Sequence, residues 1–345
     1  MYEKILVIKP SSYGDVIHAL PFLQALRNKY PEAEIHWVIA ASLKNTLHNH
    51  PMIDRLWIIE KDKWKNPWKI IDSIRELSSL RTELRRERYS LVVDLQGLLR
   101  SGLIAQMSGC KNIIGFKEAR EGSRFFYTQL IEGERDVHAV DRYLKVAEFL
   151  GCDVSTVSFP LNLSAEPPKV IDELPWERLS REGFVVMVPG ARWETKRWPP
   201  SYFGCLAALL PISTVIIGSK DDIEAADEVV RFSGGKALSF AGRTGLADAE
   251  WIISKAKFMV SNDTGPMHVA AALGLWVYAI FGPTEPLRTA PYGKNNTIIR
   301  HTLGCMPCLK KKCYRIECMR DLSFHTVYEI IRERESFRTY SVVKK

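Results

Sequence analysis

The chain has 345 residues, 46% hydrophobic and 26% charged, a core-forming composition that excludes disordered and fibrous classes. That length is well beyond a common single domain, so two domains are expected. A formal net charge of +8 points to an anionic partner, either nucleic acid, acidic lipid or a phosphorylated metabolite, and does not rank the three.

In chain order, the apolar run Ile5 to Ile8 is cut short by Lys9, too soon for a signal core. The run reads as a strand. A helical pattern follows from about Asp15 to Tyr30, with a kink or a late start expected at Pro21. "EIHWVIA" reads as a strand. "IRELSSLRTELRRERYS" reads as a solvated amphipathic helix with Leu77, Leu80 and Leu84 at helical spacing. "LVVDLQG" and "NIIGF" read as strands with a helix between them. "HAVDRYLKVAEFLG" reads as a helix stopped by Gly151. The stretch containing Pro160, Pro167, Pro168 and Pro175 is the best domain boundary. Beyond it "FVVMVPG", "STVIIG", "ALSFAG", "FMVSND" and "WVYAIFG" alternate with helical patterns, which implies parallel sheets covered on both faces. The longest apolar run, Val269 to Gly282, is too short to span a bilayer, so a cytoplasmic protein is expected.

Ligands of such sheets bind beyond the carboxyl ends of the strands, and three glycine turns belong there. In "SNDTGPMH" the turn Asp263, Thr264, Gly265 opens a helix whose N–H groups suit a diphosphate; an ordinary N-cap is the other reading. In "PGARWETKRWPP" the cations Arg192, Lys196 and Arg197 suit a pyrophosphate leaving group, or form a basic surface loop. In "KPSSYGDVIH" a polar turn of Ser11, Ser12 and Gly14 leads to Asp15, either a helix-start aspartate or a general base in a cleft. His18, one turn later, reads as a packed residue. The dinucleotide fingerprint, the P-loop, H-E-x-x-H and G-x-S-x-G are all absent from the sequence. Of the seven cysteines, Cys305, Cys308, Cys313 and Cys318 have the spacing of a structural zinc site, with a disulfide staple as the alternative. Cys110, Cys152 and Cys205 read as small buried residues.

Taken together, "KPSSYGDVIHALP", "DLQGLLRSG", "PGARWETKRWP" and "SNDTGPMHVAAALG" followed by "FGPT" resemble glycosyltransferase family 9, the ADP-heptose:lipopolysaccharide heptosyltransferases, in order over residues 4 to 294. "EAREGSRFFY" and "HAVDRYL" resemble the type I members. The resemblance implies an α/β GT-B fold: two Rossmann-like domains with parallel sheets facing across a cleft. Expected domains are 1–165 for the acceptor, 166–321 for ADP-heptose, and a C-terminal helix, 322–345, as a candidate for crossing back to the first.

The implied reaction is an inverting transfer of heptose from ADP-heptose to Kdo of the lipid A inner core, with no cofactor required for catalysis. Asp15 matches the family's base. Ser11, Ser12, Gly14, Lys196, Glu224, Leu246, Asp263, Thr264, Gly265 and His268 are the implied donor-side residues. Lys61, Lys63, Lys65, Gln96 and Arg120 are those implied for the Kdo–lipid A acceptor. Partners implied are ADP-heptose, that acceptor and a transient anionic surface at the inner face of the inner membrane, toward which Trp64 and Trp68 could lie. Alternatives are a type II heptosyltransferase or another ADP-sugar transferase. From another class, a nucleic-acid module on the basic cysteine cluster is the distant alternative, and no nucleic acid is expected.

Overall fold

The structure, a computed structural model, describes residues 2–60, 70–134, 136–173 and 175–335. Lys61, Lys63, Lys65, Trp64 and Trp68 lie outside these. The chain divides into two compact units, Met1–Asn162 and Leu163–Lys345.

The first unit holds strands β1 (Lys4–Ile8), β2 (Glu34–Ala40), β3 (Arg55–Ile59), β4 (Leu91–Asp94), β5 (Ile113–Phe116) and β6 (Gln129–Ile131). They form one sheet in the order β3-β2-β1-β4-β5-β6, every pair parallel. The second unit repeats this with β7 (Phe184–Val188), β8 (Ser213–Ile216), β9 (Ala237–Ser239), β10 (Phe258–Asn262), β11 (Trp276–Ile280) and β12 (Asn296–Ile299). Its sheet runs β12-β11-β10-β7-β8-β9, again all parallel. Both are the Rossmann order, whose strand sequence reverses between β1 and β4 and between β7 and β10.

The central strands are aliphatic because helices cover both faces: Ile5 to Ile8 and Phe184 to Val188 are all buried. Leu6, Ile8, Val38, Val92, Ile104 and Leu84 pack one core. Leu84 thus anchors the helix Ile70–Arg86, whose basic last turn ends in Arg85 and Arg86. In the second unit Val185, Met187, Trp198, Phe203, Val260 and Ile280 form the core.

The late helix start expected at Pro21 is present. The first long helix is two helices, Tyr13–His18 and Leu20–Lys29, broken at Ala19. Pro21 sits in the first turn of the second helix, where its missing N–H costs no hydrogen bond. The helix Phe324–Glu335 buries Val327 and Ile331 in the core of the second unit.

Candidate active site

In the first unit the chain leaves β1 through Lys9 to Ser12 and leaves β4 through Leu95 to Gly97, on the two sides of the switch point. Asp15 does not begin its helix. Ser12 is the N-cap and Asp15 the third helical residue. The Asp15 Oδ2 accepts from the Ser12 N–H at 2.9 Å and the Ser12 hydroxyl at 2.6 Å. This bonding holds the carboxylate at the mouth of the strand.

A buried aspartate shapes the other side. Asp94 is 0% exposed; its Oδ1 accepts from the N–H groups of Gln96 (2.8 Å) and Gly97 (3.1 Å), and its Oδ2 from the Tyr127 hydroxyl (2.6 Å). Burial, the largest cause, leaves its pKa raised, with those donors opposing. The folded loop then aims Gln96 Oε1 at the Ser11 N–H, 3.3 Å away. Arg120, exposed, joins through its own N–H to the Gly97 carbonyl at 2.9 Å. Ser11, Ser12, Gly14, Asp15, Gln96 and Arg120 are thereby brought onto one rim.

Beneath them lies Lys9, 3% exposed, with Nζ 3.4 Å from the Leu95 carbonyl and 5.0 Å from the Tyr143 ring centroid. Burial lowers its pKa; Tyr143, Asp15 and Asp94 more than offset this and favour the ammonium. His18 is 3% exposed with its ring edge-on to His138, a packed residue as read from the sequence.

The second unit assembles the other group. The Lys196 ammonium donates to Asp263 Oδ2 at 2.6 Å, and the Thr284 hydroxyl donates to the same oxygen at 2.6 Å. Asn262, fully buried at the end of β10, accepts from the Trp198 N–H (3.1 Å) and donates to the Pro189 carbonyl (2.7 Å). The Pro189–Trp198 loop is thus latched to the neighbouring strand. Trp198, fully buried, packs on Phe203 and fixes the loop's far end. Thr264 occupies the N-cap position of the helix Gly265–Ala272, and its side chain makes no cap hydrogen bond. His268 is the buried fourth residue of that helix.

Glu224 is exposed in the first turn of the helix Ile223–Phe232 after β8, and Leu246 opens the helix Leu246–Ser254 after β9. Both stand on the same carboxyl-end rim as Lys196 and Asp263. Asp222 joins two of these loops. A Cβ on Gly190 would lie 2.2 Å from Asp222 Oδ1, so only glycine lets the loop after β7 close onto that carboxylate.

Asp222 also accepts from the Ser219 N–H and hydroxyl at 2.9 and 2.6 Å, repeating the Ser12–Asp15 distances. The capping box alone therefore does not mark a base; position at the β1/β4 switch point is what sets Asp15 apart. Sequence reasoning missed the roles of Asp94, Tyr127, Asn262, Asp222 and Thr284. Asp94, Asn262 and Thr284 stood inside quoted motifs, "DLQG", "SND" and "FGPT"; only their partners were invisible.

Burial, with Cys308, Cys305 and Cys313 close by, pushes the Cys318 thiol up to about 11. All seven cysteines are free thiols in the structure. Four thiolates are a zinc-type donor set; separately, ligand atoms of Glu34, His36 and Glu87 lie within 4.8 Å of one another. There the Lys4 ammonium already pairs with Glu34 (2.6 Å) and Glu87 (2.8 Å). Cys152 is buried, Cys110 and Cys205 half-buried. Among the described residues no helix is long and apolar enough to cross a membrane.

The family model of glycosyltransferase family 9 (heptosyltransferase) matches residues 77–318. Lipopolysaccharide heptosyltransferase 1 of Pseudomonas aeruginosa is 29% identical over 319 residues, 90% of this chain and 87% of that protein. Lipopolysaccharide heptosyltransferase 2 of Escherichia coli is 26% identical over 318 residues, 87% of this chain and 89% of that protein. The solved structure of E. coli heptosyltransferase WaaC with ADP-2-deoxy-2-fluoro heptose matches at TM-score 0.77 and 23% identity, covering 96% of this chain and 99% of that one. Two six-stranded parallel sheets and this likeness give the expected GT-B fold. The chain belongs to glycosyltransferase family 9, the heptosyltransferases, and is a sugar-transferring enzyme.

Proposed function

We propose that the enzyme transfers L-glycero-D-manno-heptose from ADP-heptose to Kdo of the lipid A inner core, with inversion, as a type I heptosyltransferase. One observation carries the chemistry: each unit gathers its polar residues at its own switch point, a carboxylate in the first and a cation beside a helix N-terminus in the second. Type I relatives support the acceptor assignment, with the P. aeruginosa protein 29% identical against 26% for the type 2 protein of E. coli.

In this reading the Asp15 carboxylate takes the proton of the acceptor hydroxyl as its oxygen attacks the anomeric carbon. The bond from that carbon to the donor phosphate oxygen breaks, and ADP leaves with the electron pair. Lys196 and the N–H groups opening Gly265–Ala272 face the charge that develops on the diphosphate. Asp263, held by Lys196 and Thr284, keeps the ammonium in place. Glu224 and Leu246 meet the ribose and adenine; Gln96 and Arg120 meet the acceptor. No cofactor takes part, and the cysteine loop carries no step. The enzyme works at an anionic membrane surface from the cytoplasmic side.

The test is a mass-spectrometric transfer assay with ADP-heptose, offering Kdo-lipid A and heptosyl-Kdo-lipid A separately. Product on the first alone supports type I. Product on the second alone moves the enzyme to the later step. Product on neither overturns the donor or acceptor class.

A further inference from the structure

The cysteine-bearing loop is tied to the loop of Lys196 at several points. The Thr195 hydroxyl, from a residue 2% exposed, donates to the Lys310 carbonyl at 2.7 Å. The Leu309 N–H donates to the Pro283 carbonyl at 2.9 Å, next to Thr284. These bonds bracket Lys311 from the two sides of the Lys196–Asp263–Thr284 cluster. Its Nζ lies 5.4 Å from the Trp193 ring centroid, the ring that also has Lys196 Nζ at 4.9 Å.

The charges around that ring do not balance. Lys196 is matched by Asp263, and Arg197 donates to the Ala191 carbonyl and faces Asp222 at 4.0 Å. Lys311 has no carboxylate within salt-bridge distance among the described residues, although its backbone neighbours are fixed. Two ammonium groups share one indole, and among the described residues only Lys196 has a carboxylate to match it. A diphosphate carries more than one negative charge, and the Lys196–Asp263 pair is itself neutral overall.

We infer that Lys311 is a second cation for the donor diphosphate, presented by the cysteine loop over Trp193. This rests on the ADP-sugar reading above. The loop then has a role independent of metal: it sets the position of a phosphate-binding lysine through Thr195 and Pro283. Lys312, its neighbour, makes no cation–π contact with Trp193 among the described residues and supplies the control.

The experiment is calorimetric titration of the full chain with ADP and with adenosine, at low and moderate salt. Lys311→Ala is expected to weaken ADP binding about tenfold, leave adenosine unchanged and flatten the salt dependence. Lys311→Arg should restore most of the loss, and Lys312→Ala should match the wild type. Equal behaviour of Lys311→Ala and Lys312→Ala, whether both unchanged or both weakened, overturns the inference in favour of a diffuse basic surface. A wild-type chain with no affinity for ADP overturns the donor reading, and this inference with it.

Discussion

Lys196 donates to Asp263 across 2.6 Å and so ties the loop after β7 to the turn after β10. Thr284 shares the accepting oxygen. Thr284→Val removes one donor from a carboxylate that is 6% exposed, and should cost about 1.5–3 kcal/mol with weaker ADP binding. Lys196→Ala leaves that carboxylate without its cation and should cost more, about 3 kcal/mol or above. Urea denaturation and ADP titration of both variants measure this. Equal, near-zero effects would show that the cluster does not order the site.

Asp15→Ala separates two roles of one side chain. Loss of a general base should lower kcat by about 10²–10⁴-fold while ADP still binds. Loss of the capping box should cost about 0.5–2 kcal/mol. Ser12→Ala removes the 2.6 Å hydroxyl bond and keeps the carboxylate, so it should share the stability loss and lower kcat far less than Asp15→Ala. Initial rates and melting of both variants decide. An Asp15→Ala enzyme with near-normal turnover would remove Asp15 as base.

Tyr127→Phe tests the buried side of the first rim. It strips one hydrogen bond from Asp94 Oδ2 and should cost about 1–3 kcal/mol. Gly115→Ala should cost at least as much, because its new Cβ would lie 2.3 Å from the Tyr127 ring and drive it from Asp94. Chemical denaturation of the single variants ranks them; a neutral Gly115→Ala would contradict the packing argument.

The first unit should lose stability on mild acidification. Burial, the leading cause, pushes His36 below its ordinary value, with Glu87 and Glu34 opposing. Burial does the same to His50, opposed by its bond to the Pro160 carbonyl. The unfolded chain therefore takes up these protons first, at about pH 6.5, and folding weakens as pH falls from there toward the depressed folded values. Each histidine contributes a slope of at most about 1.4 kcal/mol per pH unit. Denaturation at pH 7.5 and 5.5, followed by the buried Trp37, should show the loss, and His50→Gln should reduce it.

Much was legible in the order of residues alone. Aliphatic strands alternating with helices dictate parallel sheets, because only strands covered on both faces are apolar at every position. Glycine turns at strand ends dictate a rim where ligands bind. Asp15, Lys196 and the Asp263–Gly265 turn were readable there because helix starts and strand ends leave local marks.

Tertiary structure alone decided which partners those residues have. Asp263 meets Lys196 and Thr284 from 67 and 21 positions away, and Asp94 meets Tyr127 from 33. Such contacts depend on strand order, and strand order follows from how whole helices pack, which no local pattern records. The cysteine loop shows the same division. Its spacing marks a candidate metal site, and only the tertiary structure shows that Thr195 and Pro283 hold it against the loop of Lys196. Sequence determines which groups are available for chemistry; the strand order and helix packing within each unit decide which of them meet, because hydrogen bonds and ion pairs act only at contact distance.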